Sequence, residues 1–323
     1  MLAKSVAAVP AGQALAYEPK WDGWRAIAFR HDDGVYLQSR AGRDLGTYFP
    51  DVIAAVARAV APGVVLDGEL VVWEGDRTDF SLLQRRVTAG AQREALARRH
   101  PAHYVVFDLL NAPPGLPLLD KPLAERRALL ASLLTDAPAQ LTLSPQTTDV
   151  GQATEWLHTW TAAGIEGLMI KQLGGRYEPG RRTWQKYRAY HTTEAIIGGV
   201  NPNLGNPEIL LLGRLDEHGR LRYTGRTHSL RPAQRGELAN LLTPYPTAPS
   251  GPAHPWPQPL PASWTGQLDR PQPLPYTPVV PAIVAEIDVD TAYEHHRWRH
   301  LVRYRRPRLD LAIGDVPPLD SRF

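Results

Sequence analysis

At 323 residues, 43% hydrophobic and 21% charged, the chain has the length for two globular cores and an ordinary soluble composition. No run of about 18 uncharged apolar residues could span a bilayer; MLAKSVAAVP lacks the apolar stretch of a secretory signal, and with no cysteine, disulfides, thiolate metal sites and thiol nucleophiles are excluded. A net charge of +3 permits an anionic partner without requiring one, and a cytoplasmic protein with no membrane contact is expected.

Ala14 to Arg40 reads as three short strands, with His31 to Gly34 turning the second into the third. FPDVIAAVARAV has apolar residues at helical spacing and stops near Pro62 and Gly63. VVLDGELVVW follows as a strand pair pinched at Asp67-Gly68, then Phe80 to Arg99 as a basic helix. HYVVFDLL is a buried strand whose apolar run is broken by one carboxylate. PLAERRALLASLL and DVGQATEWLHTWTAAG are amphipathic helices, the second with Asp149 as N-cap and Gly164 as C-cap. Strands GLMIKQL and RTWQKYRAY complete an α+β half.

After about His191, TTEAIIGGV, EILLLGRLD and RLRYTGRTH alternate like strands of a small barrel, and RPAQRGELANLL supplies one helix. Pro244 to Pro281 hold 13 prolines in 38 positions, which predicts an extended, largely strand-free excursion. PAIVAEIDV reads as the last strand, ahead of an arginine-rich segment, His295 to Asp310.

Of 36 basic residues only five are lysine: Lys4, Lys20, Lys121, Lys171 and Lys186. Codon bias explains such a background, but a position that needs a compact ammonium able to lose its proton would also retain lysine, because guanidinium stays charged. In EPKWDGWR, Lys20 stands beside Asp22, Gly23 and Arg25 at a strand end. K-x-D-G fits a structural turn as well as a site; as a nucleophile Lys20 would need nearby positive charge, which Lys171 and Lys186 could supply. Glu69 lies between apolar residues, where a carboxylate requires a ligand or a cation.

In order and spacing these blocks resemble the covalent nucleotidyltransferases, ATP-dependent DNA ligases in particular. KWDGWR is similar to motif I, SRAGRDL to the DNA-contacting block after it, LDGEL to motif III, YVVFDLL to motif IIIa, EGLMIK to motif IV and WQKYR to motif V. The resemblance runs from about Tyr17 to Asp310, and the second half is most similar to the small bacterial enzymes called ligase C. It implies an adenylation domain, 1–191, with mixed and antiparallel sheets, followed by an OB-fold β-barrel, 192–323, carrying the excursion at 244–281. The implied activity is sealing of 5′-phosphate and 3′-hydroxyl nicks in duplex DNA during repair, by a monomer associated with the nucleoid.

On this resemblance Lys20 is the nucleophile that takes AMP from ATP, Glu18 accepts from the adenine amino group, and Phe107 stacks on the base; away from the resemblance, Phe107 reads as a core residue. Arg25 and Glu69 hold the ribose and a neighbouring phosphate, and Lys171 and Lys186 neutralise the α-phosphate. Glu166 binds Mg²⁺, with Mn²⁺ also suited and Asp22 the weaker candidate; a salt bridge is the plain alternative for Glu166. Arg40 and Arg43 meet the 5′-phosphate, and the helix near Gln84 to Arg99 and Arg297 and Arg299 grip DNA. Only 19 residues precede Lys20, which leaves no room for a nicotinamide-reading domain, so ATP is the expected cofactor. Two positions depart from the pattern: Arg188 replaces the second lysine of motif V, and the terminal R-x-D-K block reads Arg308, Leu309, Asp310, Leu311. Arg308 and Asp310 would orient the pyrophosphate. An RNA-joining or RNA-capping nucleotidyltransferase, which shares K-x-D-G and the OB-fold, is the alternative enzyme, and a non-catalytic OB-fold nucleic-acid binder the alternative outside catalysis.

Overall fold

The computed structural model describes residues 1–160, 163–246, 253–265 and 272–321. The chain divides into two compact units, Met1–Ala189 and Tyr190–Phe323.

In the first unit, strands β1 (Ala3–Ser5), β2 (Leu15–Trp21), β3 (Trp24–Arg30) and β4 (Val35–Ser39) precede helix α1 (Pro50–Ala59). Then come β5 (Val65–Glu74), β6 (Arg77–Thr78), helices α2 (Phe80–Thr88) and α3 (Arg93–Arg99), and β7 (Ala102–Ala112). Strand β8 (Leu116–Pro117), helix α4 (Leu123–Leu133), β9 (Leu141–Leu143), helix α5 (Val150–Thr159), β10 (Ile165–Gln172) and β11 (Trp184–Arg188) complete it. One sheet runs β4-β3-β5-β7-β8, with β6 on β5 and β9 on β7; the other runs β1-β11-β10-β2. β1 joins β11 and β9 joins β7 in parallel; the remaining pairs are antiparallel, so both sheets are mixed. The larger core packs α1, α2 and α4 on the first sheet through Val52, Val56, Leu83, Leu130 and Leu66.

VVLDGELVVW is one continuous strand, not a pair. The pinch is a register shift between Asp67 and Gly68, where a Cβ on Gly68 would stand 2.6 Å from the Tyr104 ring. The basic segment breaks into two helices at a 3₁₀ turn, Gly90–Gln92, because Gly90 adopts φ +53°. Asp149 caps α5 by accepting from the Gly151 amide, but the helix ends at Trp160 and Gly164 belongs to the turn into β10; residues 161–162 of the expected helix lie outside the described residues.

The carboxylate that interrupts the apolar run of β7 is answered from α4. Asp108 receives Arg126 Nε at 2.7 Å and Nη2 at 2.9 Å, with both side chains essentially unexposed. Removing one partner strands the other charge in the core, so Asp108→Ala is expected to cost about 3–5 kcal/mol in urea unfolding. Loss of the exposed Glu94–Arg98 pair is expected to cost about 0.5 kcal/mol or less. Equal costs would show that the core tolerates the orphaned guanidinium.

The second unit runs β12 (His191–Asn203), β13 (Asn206–Leu215), β14 (Leu221–Arg226), α6 (Pro232–Leu241), β15 (Thr277–Pro278), β16 (Val284–Val289), β17 (Tyr293–Glu294), β18 (Arg297–Trp298) and β19 (Arg303–Pro307). Its main sheet has the order β14-β13-β12-β16-β19, and a parallel bridge from Thr227 to Val302 joins the two edges. Five strands closed in this way, with a helix between the third and fourth, form an OB-fold. PAIVAEIDV is therefore not the last strand: the arginine-rich segment supplies the closing one. The described parts of the Pro-rich stretch are more than an excursion. Trp256, Leu260 and Tyr276 are buried against Leu211, Tyr223 and Val284, because aromatic side chains can build a layer where proline denies the backbone a ladder. Among the described residues no helix is long and apolar enough to cross a membrane.

Candidate active site

The site of the first unit is written across β2, β10 and β11. Register sets Lys20 and Arg188 on either side of Gly167, and Glu18 and Lys186 on either side of Met169. Successive ranks are two residues, roughly 7 Å, apart on one face. A third rank holds Lys171 with Trp184, whose ring lies 4.3 Å from the Lys171 ammonium. Between Glu18, Lys20, Glu69, Phe107, Lys171 and Lys186 lies a cavity of about 280 Å³. A wider cavity of about 780 Å³ shares Leu2, Arg25 and Arg40 with it. The turn that delivers Lys20 needs its glycine, since a Cβ on Gly23 would overlap the Leu70 carbonyl oxygen.

Lys20 forms an ion pair with Glu166, which is 1% exposed, and Arg188 Nη2 stands 3.9 Å from the same carboxylate oxygen. Lys186 is held below the ordinary lysine range by burial first, then by Arg188, Lys20 and Arg40. Lys171, expected at the phosphate, lines the same cavity beside Glu18, Phe107 and Trp184. Its ammonium is 2.6 Å from Glu18 Oε2 and 4.5 Å from the Phe107 ring centre. Arg25 is clamped by Asp67 through Nε at 3.0 Å and Nη2 at 2.6 Å, with its guanidinium 5.1 Å from the Trp184 ring. Tyr177 donates to the same Asp67 at 2.8 Å.

Glu69 lines the cavity with no hydrogen bond or close ion pair to its carboxylate among the described residues. Burial pushes its carboxyl up to about 8, opposed by Lys20 and Arg25 and reinforced by Asp22 and Asp67. The native state therefore holds a proton that the unfolded chain, near 4.5, has lost, and this contribution to stability disappears as pH rises through 8. Glu69→Gln should melt increasingly above the wild type as pH is raised from about 5 to about 9. A constant difference in melting temperature would refute the assignment.

Sequence reasoning did not find Gln146, Asp67, Tyr177 or Trp184. The signal for Asp67 was present, a second carboxylate in an apolar strand, whereas Gln146 and Tyr177 lie in segments without periodicity. Asp22 sits in the turn after Lys20 and does not line the cavity. Arg40 and Arg43 are exposed in a turn closed by the Ser39 hydroxyl, and neither is ion-paired among the described residues.

Some of the cations expected on DNA have partners within the protein. Arg86 in α2 is unexposed, bound to Asp51 at 2.8 Å and to the His100 carbonyl at 2.7 Å. In the second unit Arg297 lies over Trp264 at 4.6 Å, and Arg299 is 13% exposed and 3.7 Å from Glu294. The exposed cations of that segment are Arg303, Arg305 and Arg306. Arg308 holds Asp310 at 2.8 and 2.9 Å, Glu194 at 3.0 Å and Glu286 at 3.5 Å. Leu311 packs against the Tyr223–Trp256 cluster.

The family described as ATP dependent DNA ligase domain matches residues 1–188. The chain belongs to the ATP-dependent DNA ligases. This ligase is similar to DNA ligase C2 of Mycolicibacterium smegmatis, 33% identical over 99% of this chain and 95% of that protein. DNA ligase C of Mycobacterium tuberculosis is likewise 33% identical, over 96% of this chain and 89% of that protein. A solved Lig E DNA ligase shares the fold, with TM-score 0.53 and 18% identity over 92% of this chain and 93% of that one.

Proposed function

We propose that this ligase seals 5′-phosphate and 3′-hydroxyl ends in nicked duplex DNA, as a monomer serving repair, through a covalent AMP on Lys20. The observation that carries the reading is the convergence of Lys20, Glu18, Phe107 and Lys186 on one nucleotide-sized cavity.

In the first step Lys20 Nζ, as the free amine, bonds to the α-phosphorus of ATP while the bond to the pyrophosphate oxygen breaks. A 5′-phosphate oxygen of DNA then attacks the same phosphorus and releases the lysine. Finally the 3′-hydroxyl attacks the DNA phosphorus, loses its proton, and expels AMP. Lys186, with Arg188 in the neighbouring rank, supplies positive charge where the five-coordinate α-phosphate gathers negative charge. Glu18 and Phe107 hold the base. Lys171 belongs with them, pairing Glu18. Arg25, fixed by Asp67, and Glu69 face the ribose. Arg40 and Arg43, exposed and without an ion pair among the described residues, meet the 5′-phosphate, and contacts of this kind position DNA without reading its sequence. Arg308 and Asp310, which also bind each other, orient the pyrophosphate.

Glu166 would hold Mg²⁺ or Mn²⁺ with Asp22 as second candidate: the donors are carboxylate oxygens, which suit a hard cation, and the ion would add Lewis-acid charge at the phosphates. The decisive experiment incubates the protein with α-³²P-ATP. Label should stay on the protein through denaturation and be discharged by nicked DNA, with nicked RNA a poorer acceptor. Absence of bound label would leave a nucleic-acid binder without chemistry, and preferential discharge to RNA would favour the RNA-joining reading.

A further inference from the structure

We propose that Gln146 is a specificity-determining positioning residue, which fixes the Glu18 carboxylate as a pure hydrogen-bond acceptor and so makes the site select a purine bearing a 6-amino group. The inference rests on the reading of Glu18 as the group facing that amino group.

Gln146 reaches Glu18 because the backbone puts it there. Tyr17 N donates to Thr147 O at 2.8 Å, and Thr147 N donates to Tyr17 O at 3.0 Å. This two-bond bridge places residue 146 beside residue 18 whatever the side chains do. From that position Gln146 Nε2 donates to Glu18 Oε1 at 2.7 Å, while Lys171 Nζ stands 2.6 Å from Oε2. The amide must present its NH₂ group, since its own carbonyl would oppose a carboxylate that only accepts. Glu18 is 2% exposed, so little water competes for these contacts. Gln146 itself does not line the nucleotide cavity. It acts from behind Glu18.

The consequence is chemical selection. The terminal torsion of a glutamate is broad, and a carboxylate held on one oxygen alone can swing. Held on both, it keeps its plane and its remaining lone pairs in one place. An adenine 6-amino group donates to such a carboxylate; a guanine 6-oxo group accepts, and two facing acceptors are left unsatisfied and desolvated. Purine without a 6-substituent offers no donor.

The test uses the full chain with ATP, GTP and purine riboside triphosphate, reading enzyme-nucleotide formation in single turnovers and, separately, closure of pre-adenylated nicked DNA. Gln146→Leu should raise KM for ATP roughly tenfold, the loss expected when one charge-assisted hydrogen bond stops orienting Glu18. KM for purine riboside triphosphate should stay put, so the preference between the two narrows about tenfold, and closure of pre-adenylated nicks should persist. Gln146→Glu keeps the shape but sets two carboxyl groups together, which removes the donor that holds Glu18 from behind without adding one to the cavity, so the preference for ATP over purine riboside triphosphate should narrow as in Gln146→Leu. Nucleotide preference unchanged in both variants, or all nucleotides and nick closure impaired alike, overturns the role of Gln146. Equal use of ATP and purine riboside triphosphate by the wild type overturns instead the reading of Glu18 on which it rests.

Discussion

Lys20→Arg is expected to form no enzyme–AMP, although it should fold like the wild type. Arginine can keep the ion pair with the buried Glu166 carboxylate, so the local electrostatics survive the change. What it cannot do is lose a proton at working pH, and without a lone pair no nitrogen–phosphorus bond forms. Lys20→Ala should fail equally at this step and also melt lower, because it leaves Glu166 without its nearest cation. Closure of nicks that already carry AMP should survive in the arginine variant, since the lysine has finished its part by then. The check is α-³²P-ATP labelling beside closure of a pre-adenylated nick. Normal labelling of Lys20→Arg would remove Lys20 from the chemistry altogether.

Lys186→Ala should slow label loading on the order of 10²–10³-fold, the usual loss when one preorganised donor to a developing oxyanion is removed. Lys186→Arg should recover part of it, as Arg188 already shows that a guanidinium fits the adjoining rank. The two variants also differ in pH dependence. Burial and the neighbouring cations lower the Lys186 pKa, so its charge disappears at a pH below the ordinary lysine value of 10.5 and the loading rate should fall there. With arginine at this position that part of the alkaline limb should vanish, because guanidinium does not titrate in the range. Single-turnover loading rates across pH decide it. A fall of less than about threefold in Lys186→Ala would place the α-phosphate elsewhere.

What could be read from sequence and what could not divides along the range of the interaction. Strand alternation and the turn at His31 to Gly34 gave the β3-β4 hairpin, while β2 pairs with β10 in the other sheet, and the N-cap at Asp149 is a contact two residues long. Residues of four ordered motifs, Lys20, Glu69, Phe107 and Lys186, line one cavity, because alternate residues of a strand share a face. Burial of a particular cation was not legible. Arg86 and Arg126 look as solvent-bound in sequence as Arg85, yet each is consumed by an aspartate 35 or 18 residues earlier. The same limit explains the pairing of Arg308 with Glu194 and Glu286, which come from other strands. Motif order fixes which strand Lys171 occupies, but only register across three strands shows that it stands with Trp184 and Glu18.

Leu311 stands where the resembled pattern has a lysine. It is a half-buried side chain packed on the cluster that holds Tyr223 and Trp256. Grafting lysine back is therefore not a simple repair: the new ammonium would have to stretch its stem out of an apolar seat to reach water. A graft that added charge while sparing that apolar seat would have to begin from another residue.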